Sequence, residues 1–257
     1  MMNTGKSGGR VSHEKITGSR YMEVFTQLQG VTGFFSLKDG ASDGYPYNRT
    51  DIFEELGLSG AVPVWPRQIH EDTIAVIDSV PTGPLGIPDT DGLITDQRNV
   101  LLTTVHADCL PVYFFDVKRG VIGLAHAGWR GTAASIAAKT VERMTESFGC
   151  ERDDIYIYIG PGISRCCFET GREVYDEFAG KWDFTGDITD EKVSGEGETK
   201  YYIDLKEMNR RQLVAAGISP EKIEVSGHCT CCEPELFCSY RREGGTYRRM
   251  GAGLCML

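Results

Sequence analysis

Short apolar runs rich in β-branched and aromatic residues recur along the chain and predict buried strands. They are VLLTTV (100–105), PVYFFDV (111–117), VIGLAHA (121–127), DIYIYIG (154–160) and KIEVSG (222–227). Lys118, Arg119 and Gly120 separate the second run from the third. This spacing predicts an antiparallel hairpin, so the sheet is not expected to be purely parallel.

Two other segments have a helical pattern. TAASIAAKTVERMTESFG (132–149) carries Ala, Ile and Val on one face and ends at Gly149. LKEMNRRQLVAAG (205–217) follows Asp204, a good N-cap residue, and ends at Gly217. This mixture of strands and helices predicts the α+β class: a layered α/β sandwich with mixed β-sheets flanked by helices.

The chain shows no internal Pro/Gly-rich linker, which predicts a single domain. We expect residues 1–21 to form a flexible N-terminal tail and residues 22–257 to form the folded, catalytic domain. The acidic stretch TGDITDEKVSGEGETK (185–200) is expected to be a solvated loop.

Charge and hydropathy exclude some classes of function. The net charge of −10 argues against a general nucleic-acid binder, which needs a basic face. Apolar runs are too short to span a membrane, and the first 20 residues lack the apolar region of a signal peptide. We therefore expect a cytoplasmic protein; the oligomeric state stays open and a monomer is compatible with the sequence.

The chain has nine cysteines, an odd number that includes adjacent pairs, which disfavours a disulfide scaffold. In a reducing compartment these thiols are core residues, metal ligands or nucleophiles. The run HCTCCEPELFC (228–238) has the spacing C-x-C-C-x₅-C rather than two C-x₂-C pairs. That spacing does not favour a structural zinc site. Cys166 and Cys167, if placed in a strand, would point to opposite faces.

Polar side chains interrupt the buried runs at three places. Cys109 lies between two strands and His126 near the end of the next, so the predicted hairpin brings them together. His70 follows the apolar segment AVPVW. Two His and one Cys form a ligand set typical of catalytic zinc, with copper as the alternative metal. On pattern alone, a buried Cys is more often a small hydrophobic residue, and a lone His near a strand end is more often a hydrogen-bonded core or surface residue.

The junction GWRGT (128–132) lies between a strand and a helix start, where backbone N–H groups can hold an anion. Arg130, Gly131 and Thr132 are therefore candidate phosphate- or substrate-binding residues, together with Arg241 in a local basic cluster. The alternative is that the glycines only make room for packing and that Arg130 forms a surface ion pair.

Three further residues are candidates for catalysis. Asp108 or His106 could carry protons to a leaving group or from an attacking water, and Arg67 could hold phosphate or ribose oxygens. The alternative for each is support of the metal ligands. For Asp108 we favour catalysis, because a carboxylate beside a metal site is costly without a task or a partner.

Six motifs occur in a fixed order: PRQIH, DGLIT, HADCLPV, GLAHAGWRGT, IGPGISRCCFETG and FCSYRREGGTYRR. Over residues 25–257 this set resembles the YfiH/FAMIN family, also labelled polyphenol oxidase or laccase-domain proteins. The resemblance implies a metal held at His70, Cys109 and His126 and a layered α+β sandwich. It also implies purine nucleosides and phosphate as substrates: phosphorolysis of adenosine, inosine and methylthioadenosine, and deamination of adenosine.

The chain departs from the family pattern in two places. The segment SLKDGASDGYPYNRTDIF (36–53) is shorter than usual, and Tyr247 stands where the final motif normally has Gly. We expect Tyr247 to fill part of the pocket, so both changes bear on substrate choice.

Three other functions are compatible with parts of the sequence. A copper oxidase of phenols fits the family label, but a multicopper cluster needs more imidazoles than the five in this chain provide. A cysteine-based amidase or peptidoglycan-editing hydrolase would use Cys109 as nucleophile and His126 as base. A binding module would hold metal without turnover.

Overall fold

The computed structural model describes residues 14–42, 50–195, 197–246 and 248–257. Two mixed β-sheets stack face to face, and helices cover the outer faces, which confirms the predicted layered α+β sandwich. A small third sheet lies beside them.

The first sheet has seven strands. In chain order they are β1 (Lys15–Thr17), β2 (Tyr21–Val24), β3 (Thr32–Ser36), β4 (Val62–Pro66), β6 (Leu85–Ile87), β8 (Val100–His106) and β16 (Met250–Cys255). Their order across the sheet is β1-β2-β3-β16-β8-β4-β6. β4 runs parallel to β6 and β8, and the other pairs are antiparallel.

The second sheet has six strands. They are β5 (Ile74–Ile77), β7 (Gly92–Thr95), β9 (Leu110–Asp116), β10 (Val121–Ala127), β11 (Ile155–Ile159) and β15 (Ile223–Val225), in the order β15-β11-β9-β10-β7-β5. β9 and β10 form the predicted antiparallel hairpin, and Gly120 turns the chain with a φ of 64°. The edge pairs β11–β15 and β5–β7 are parallel.

The side chains of β9 alternate between two hydrophobic cores, one on each face of the second sheet. Val112 and Phe114 belong to the core under the helices, whereas Tyr113 and Phe115 belong to the core between the two sheets. Successive side chains of a strand point to opposite faces, so a fully apolar run supplies both cores at once.

The helices are α1 (Thr50–Glu55), α2 (Trp129–Ala133), α3 (Ile136–Phe148), α4 (Arg172–Ala179) and α5 (Leu205–Ala215). The prediction of one continuous helix over 132–149 was wrong, because Ser135 takes a left-handed conformation with φ 64° and separates α2 from α3. The end at Gly149 and the Asp204 cap, which accepts a hydrogen bond from the Glu207 N–H, are confirmed.

The acidic segment 185–200 is not a simple loop. It contains β13 (Thr189–Val193), which pairs with β14 (Thr199–Ile203); β14 pairs on its other side with β12 (Glu169–Thr170) to complete the third sheet. Its polar composition reflects exposed strand faces, since most side chains of β13 are exposed.

Residues 14–21 of the expected tail reach β1 and the first residue of β2, which pair with each other in the first sheet. We therefore propose that the folded domain begins no later than residue 14; residues 1–13 lie outside the described part of the chain. Within that part, no helix combines the length and apolar character needed to cross a membrane.

Candidate metal centre and adjoining cavity

The β9–β10 hairpin places two of the three predicted ligands side by side. Its register pairs Ala127 with Leu110, so His126 at the end of β10 lies beside Cys109, which directly precedes β9. His70 approaches from the loop after β4, with its ring 4.8 Å from that of His126, centroid to centroid. The donor atoms of His70, Cys109 and His126 all lie within 4.8 Å of one another. The structure thus brings the predicted set together from three segments.

The carboxylate of Asp91 organises two of these ligands. It accepts hydrogen bonds from the backbone N–H groups of Ile69, His70 and Glu71 at 2.9–3.1 Å, and from His126 Nδ1 at 2.8 Å. These bonds hold His70 in its left-handed conformation, with φ 64°. They also leave Nε2 of His126 as the nitrogen that can face Cys109. A carboxylate that orients a histidine in this way is a common feature of metal sites.

The interactions within the centre favour the charged forms of Asp91, Cys109 and His126. Burial opposes ionisation of Asp91, but the hydrogen bonds from His126 and from the Glu71 N–H outweigh it and lower the pKa of Asp91. Burial likewise opposes the Cys109 thiolate, yet the charge of His126 and hydrogen bonds from His126 and His70 lower the pKa of Cys109 to about 6. Burial lowers the pKa of His126, but the Cys109 charge and the Asp91 bond raise it to about 9.

Gly128 leaves the space in which the three ligands meet. A Cβ atom at this position would lie 3.2 Å from Cys109 Sγ, 3.4 Å from His70 Cδ2 and 3.7 Å from His126 Cε1. The backbone φ of Gly128 is −70°, so the glycine is needed for space rather than for an unusual conformation. A small hollow bounded by one thiol and two imidazoles fits a metal ion with N and S ligands.

A cavity of about 760 Å³ opens onto this centre. The aromatic side chains of Trp129, Phe168 and Tyr240 line it together with His70, Cys109 and His126. This volume and the mixture of aromatic and polar walls are typical of sites for small organic ligands.

Three arginines line the same cavity: Arg130, Arg241 and Arg249. The guanidinium of Arg130 is exposed and stacks 4.3 Å from the centroid of the Trp129 ring. The Arg241 guanidinium donates to the carbonyls of Cys167 and Glu169, each at 2.9 Å. Arg67 is also exposed, but it does not line this cavity; its neighbour Gln68 does.

Asp108 and His106 make hydrogen bonds that favour a supporting role. The buried Asp108 carboxylate accepts from Thr230 Oγ1, Ser239 Oγ and the Arg241 N–H at 2.6–3.0 Å. His106 Nδ1 lies 3.0 Å from the Cys109 carbonyl oxygen, and Nε2 lies 2.8 Å from Thr104 Oγ1. Burial lowers the pKa of His106 well below its usual value, which keeps the ring neutral.

Gly131 and Thr132 are buried and do not line the cavity. The Thr132 hydroxyl accepts a hydrogen bond from Asn209 Nδ2 at 3.0 Å, which ties α2 to α5. A Cβ on Gly131 would meet the Glu71 carbonyl oxygen at 2.9 Å, so this glycine allows close packing. α2 is only five residues long, so its dipole is a weaker attraction for an anion than a long helix would supply.

The cysteines of two distant segments also meet. The Sγ atoms of Cys166, Cys167, Cys229 and Cys232 lie within 4.8 Å of one another. Cys166 and Cys167 lie in a turn, so the opposite directions expected of adjacent residues in a strand do not apply to them. The signal overlooked in the sequence is the spacing Cys229-x-x-Cys232 within the HCTCC run.

Sequence reasoning also missed Asp91 and Gly128 as individual site residues. A charged residue placed directly before a buried strand, as in DGLIT, was the available signal for Asp91. The two departures from the family pattern involve residues outside the described part of the chain: Tyr247 and residues 43–49 of the shortened segment 36–53.

Comparison with known proteins gives a consistent result. Residues 38–257 match the model of the family described as multi-copper polyphenol oxidoreductase laccase. The structure of Bacillus licheniformis hypothetical protein YfiH superposes with a TM-score of 0.83 at 32% identity, covering 95% of this chain and 99% of that one.

Two curated relatives carry enzyme names. Purine nucleoside phosphorylase YlmD of Geobacillus stearothermophilus is 43% identical over 164 residues, which are 64% of this chain and 59% of that protein. The aligned part of this chain thus spans about three fifths of that relative's length. Adenosine deaminase RL5, from an unknown prokaryotic organism, is 35% identical over 212 residues, covering 80% of this chain and 79% of the relative.

Proposed function

The chain belongs to the multi-copper polyphenol oxidoreductase laccase family, and from this premise we propose that it is a zinc-dependent purine nucleoside phosphorylase that also deaminates adenosine. The observation that carries the proposal is the meeting of a His₂Cys ligand set and three arginines at one cavity. Relatives of this chain are named for both activities.

The three ligands suit zinc. Neutral imidazole and thiolate are zinc ligands, and three protein ligands leave a position for water or substrate. The room left by Gly128 and the orientation of His126 by Asp91 fit such an ion. When bound there, zinc would supply Lewis-acid activation of a water molecule or of the substrate.

The cavity walls suit the parts of a nucleoside. The faces of Trp129, Phe168 and Tyr240 offer stacking surfaces for a purine, and the guanidiniums of Arg130, Arg241 and Arg249 offer donors for phosphate. Carboxyl groups of Glu169 and Glu173 also line the cavity and are candidates for binding ribose hydroxyls or carrying a proton to the base.

With the hydrogen bonds described above, Asp108 and His106 are better suited to positioning than to acid–base chemistry. Asp108 holds Arg241 and the loop that carries it, and His106 fixes the carbonyl of Cys109. Phosphate binding is best assigned to Arg130 and Arg241. Arg249 replaces Arg67 as the third candidate, because Arg249 lines the cavity and Arg67 does not.

One observation favours a second candidate, the cysteine-based hydrolase. His126 hydrogen-bonds both the Cys109 thiol and the Asp91 carboxylate. The three groups thus have the order of nucleophile, base and orienting carboxylate in a catalytic triad. His70 also hydrogen-bonds the Cys109 thiol, which argues for the metal instead, because a triad has no use for a second imidazole there. A ligated thiolate is a poor nucleophile, so metal content separates the two functions.

The test combines metal analysis with product analysis. Purified protein incubated with adenosine and phosphate should form adenine with ribose 1-phosphate, and inosine with ammonia. Cys109→Ala should lose about one zinc ion per chain and both products. Cys231→Ser is the matched cysteine control and should keep both. Unchanged zinc content and turnover in Cys109→Ala would refute the proposal.

A further inference from the structure

We propose that Cys166, Cys167, Cys229 and Cys232 form a second metal site, a structural tetrathiolate zinc centre that joins two walls of the cavity. These cysteines come from the turn before β12 and from the loop after β15, more than 60 residues apart in sequence. The site is separate from the His₂Cys centre and shares no ligand with it.

The spacing of the sulfur atoms fits a single tetrahedral ion. Cys166 Sγ lies 3.7 Å from Cys167 Sγ, 3.8 Å from Cys229 Sγ and 3.5 Å from Cys232 Sγ, and Cys167 Sγ lies 3.3 Å from Cys232 Sγ. Four sulfurs placed about 2.3 Å from a central zinc ion are about 3.8 Å apart. A disulfide bond of about 2.05 Å is much shorter, and all four thiols are free.

The backbone around Cys229 is arranged to support a thiolate. The Ser164 N–H donates to Cys229 Sγ at 3.4 Å, and the N–H groups of Cys231 and Cys232 also donate to this sulfur. Cys229 and Cys232 form a C-x₂-C turn, in which the Cys232 N–H donates to the Cys229 carbonyl at 3.1 Å. C-x₂-C turns are the usual way in which a chain presents two thiolates to one zinc ion.

Cationic side chains surround the loop that carries this turn. Arg242 donates to the carbonyls of Thr230 and Cys231 at 2.7 and 3.0 Å, and buried Lys206 donates to the carbonyls of Ser226 and His228. Binding of Zn²⁺ would release the thiol protons to solvent and give a complex of one Zn²⁺ with four thiolates, whose net charge is about −2. Nearby cations lower the cost of that charge.

The position of the centre defines its role. Phe168 and Glu169, directly after Cys167, line the cavity, and Tyr240 and Arg241 line it from the loop that follows Cys232. Zinc bound by both segments would hold these two walls at a fixed separation. The exposed side chains of Cys166 and Cys232 place the centre at the surface, where a chelator can reach it.

Zinc content of matched variants tests the proposal. Purified native protein should contain about two zinc ions per chain, and Cys109→Ser about one, with the remaining ion at the four cysteines. Cys229→Ser/Cys232→Ser should also contain about one, and its unfolding temperature should fall. Cys231→Ser, which changes the neighbouring thiol outside the group of four, should keep both ions.

A spectroscopic measurement on Cys109→Ser does not depend on the folding of the Cys229→Ser/Cys232→Ser variant. Cobalt substituted into Cys109→Ser should give strong sulfur-to-cobalt charge-transfer absorption and intense visible bands typical of a tetrahedral tetrathiolate. Absence of these bands, a disulfide among the four cysteines, or bound iron in place of zinc would overturn the proposal. Failure of the His₂Cys proposal gives a different result: native protein with about one zinc that Cys109→Ser keeps and the double variant loses.

Discussion

The Asp91 carboxylate lies 2.8 Å from His126 Nδ1, and the same oxygen accepts the His70 N–H at 3.0 Å. One buried side chain therefore sets the position of two imidazoles, one in strand β10 and the other in the loop after β4. A hydrogen bond of this kind fixes which ring nitrogen is free to bind metal.

Replacement of Asp91 by Asn should weaken metal binding at this centre. The amide removes the charge, and its NH₂ group cannot accept bonds from all of the N–H donors now present. We expect zinc affinity to fall about 10–100-fold, measured by competition with a chromophoric chelator. Asp96→Asn makes the same chemical change at an exposed residue directly after β7 and should leave the affinity unchanged. Equal affinity in both variants would remove Asp91 from this role.

Gly128→Ala tests the space between the three ligands. The added methyl group would press on Cys109 Sγ at 3.2 Å and on His70 Cδ2 at 3.4 Å, so these groups must shift by a few tenths of an ångström. We expect kcat/KM to fall roughly tenfold while the fold is kept, measured with adenosine and compared by circular dichroism. Gly83→Ala, where no atom lies within 4 Å of the new Cβ, is the control. A Gly128→Ala enzyme as active as this control would show that the hollow has no such function.

Asp108 provides a test that separates acid–base catalysis from positioning. Asp108→Ala leaves the donors of Thr230, Ser239 and Arg241 without an acceptor, and the free energy of unfolding should fall by about 3 kcal/mol. Asp108→Asn keeps an acceptor oxygen and tolerates the φ of 83°. We therefore expect the Asn variant to keep substantial turnover. Loss of turnover in a stable Asn variant would return Asp108 to the reacting groups.

Copper loading should not produce a multicopper oxidase of phenols. Among the described residues, only His106 lies with the ligand histidines, and its two ring nitrogens face Thr104 Oγ1 and the Cys109 carbonyl. His228 hydrogen-bonds Glu233 through Nδ1, and His13 lies outside the described chain. Oxygen uptake by the copper-loaded protein with a phenolic substrate should stay at background. Rapid uptake that disappears on copper removal would contradict this prediction.

The sequence predicted most of the layered fold because buried strands are recognisable from their apolar runs. The β9–β10 hairpin and its Gly120 turn follow from local pattern alone. The break at Ser135 could not be foreseen, since the residues of 132–149 have good helical periodicity and no local pattern marks Ser135 for its left-handed conformation.

The site was predictable to a smaller extent. Hairpin register brings Cys109 and His126 together, but the approach of His70 depends on Asp91, which lies 21 residues away in sequence. The four-cysteine group depends on a turn at Cys166 and Cys167 and on its contact with Cys229 and Cys232, more than 60 residues away in sequence. Long-range pairing of loops has no local periodicity, and this is why spacing alone could not reveal either arrangement.

The last prediction concerns phosphate, which only one of the two proposed activities requires. Arg130 lines the cavity with an exposed guanidinium held against Trp129, so it can meet an anion without rearrangement of the backbone. Arg130→Ala should weaken phosphorolysis by roughly 1.5–3 kcal/mol, the scale of a charge-assisted hydrogen bond, with zinc content unchanged. Deamination uses water and should fall less. Initial rates of ribose 1-phosphate and inosine formation from adenosine measure the two effects in one reaction.

Arg67→Ala is the matched control for that experiment, because Arg67 is exposed but does not line the cavity. It should change neither rate. If Arg130→Ala reduces both activities equally, Arg130 binds the nucleoside or supports Trp129 rather than phosphate. Arg241 and Arg249 then become the phosphate ligands to test. Arg249 is the better variant, because its guanidinium holds only the nearby carbonyls of Thr246 and Arg248, whereas Arg241 holds the carbonyls of Cys167 and Glu169 in a distant segment.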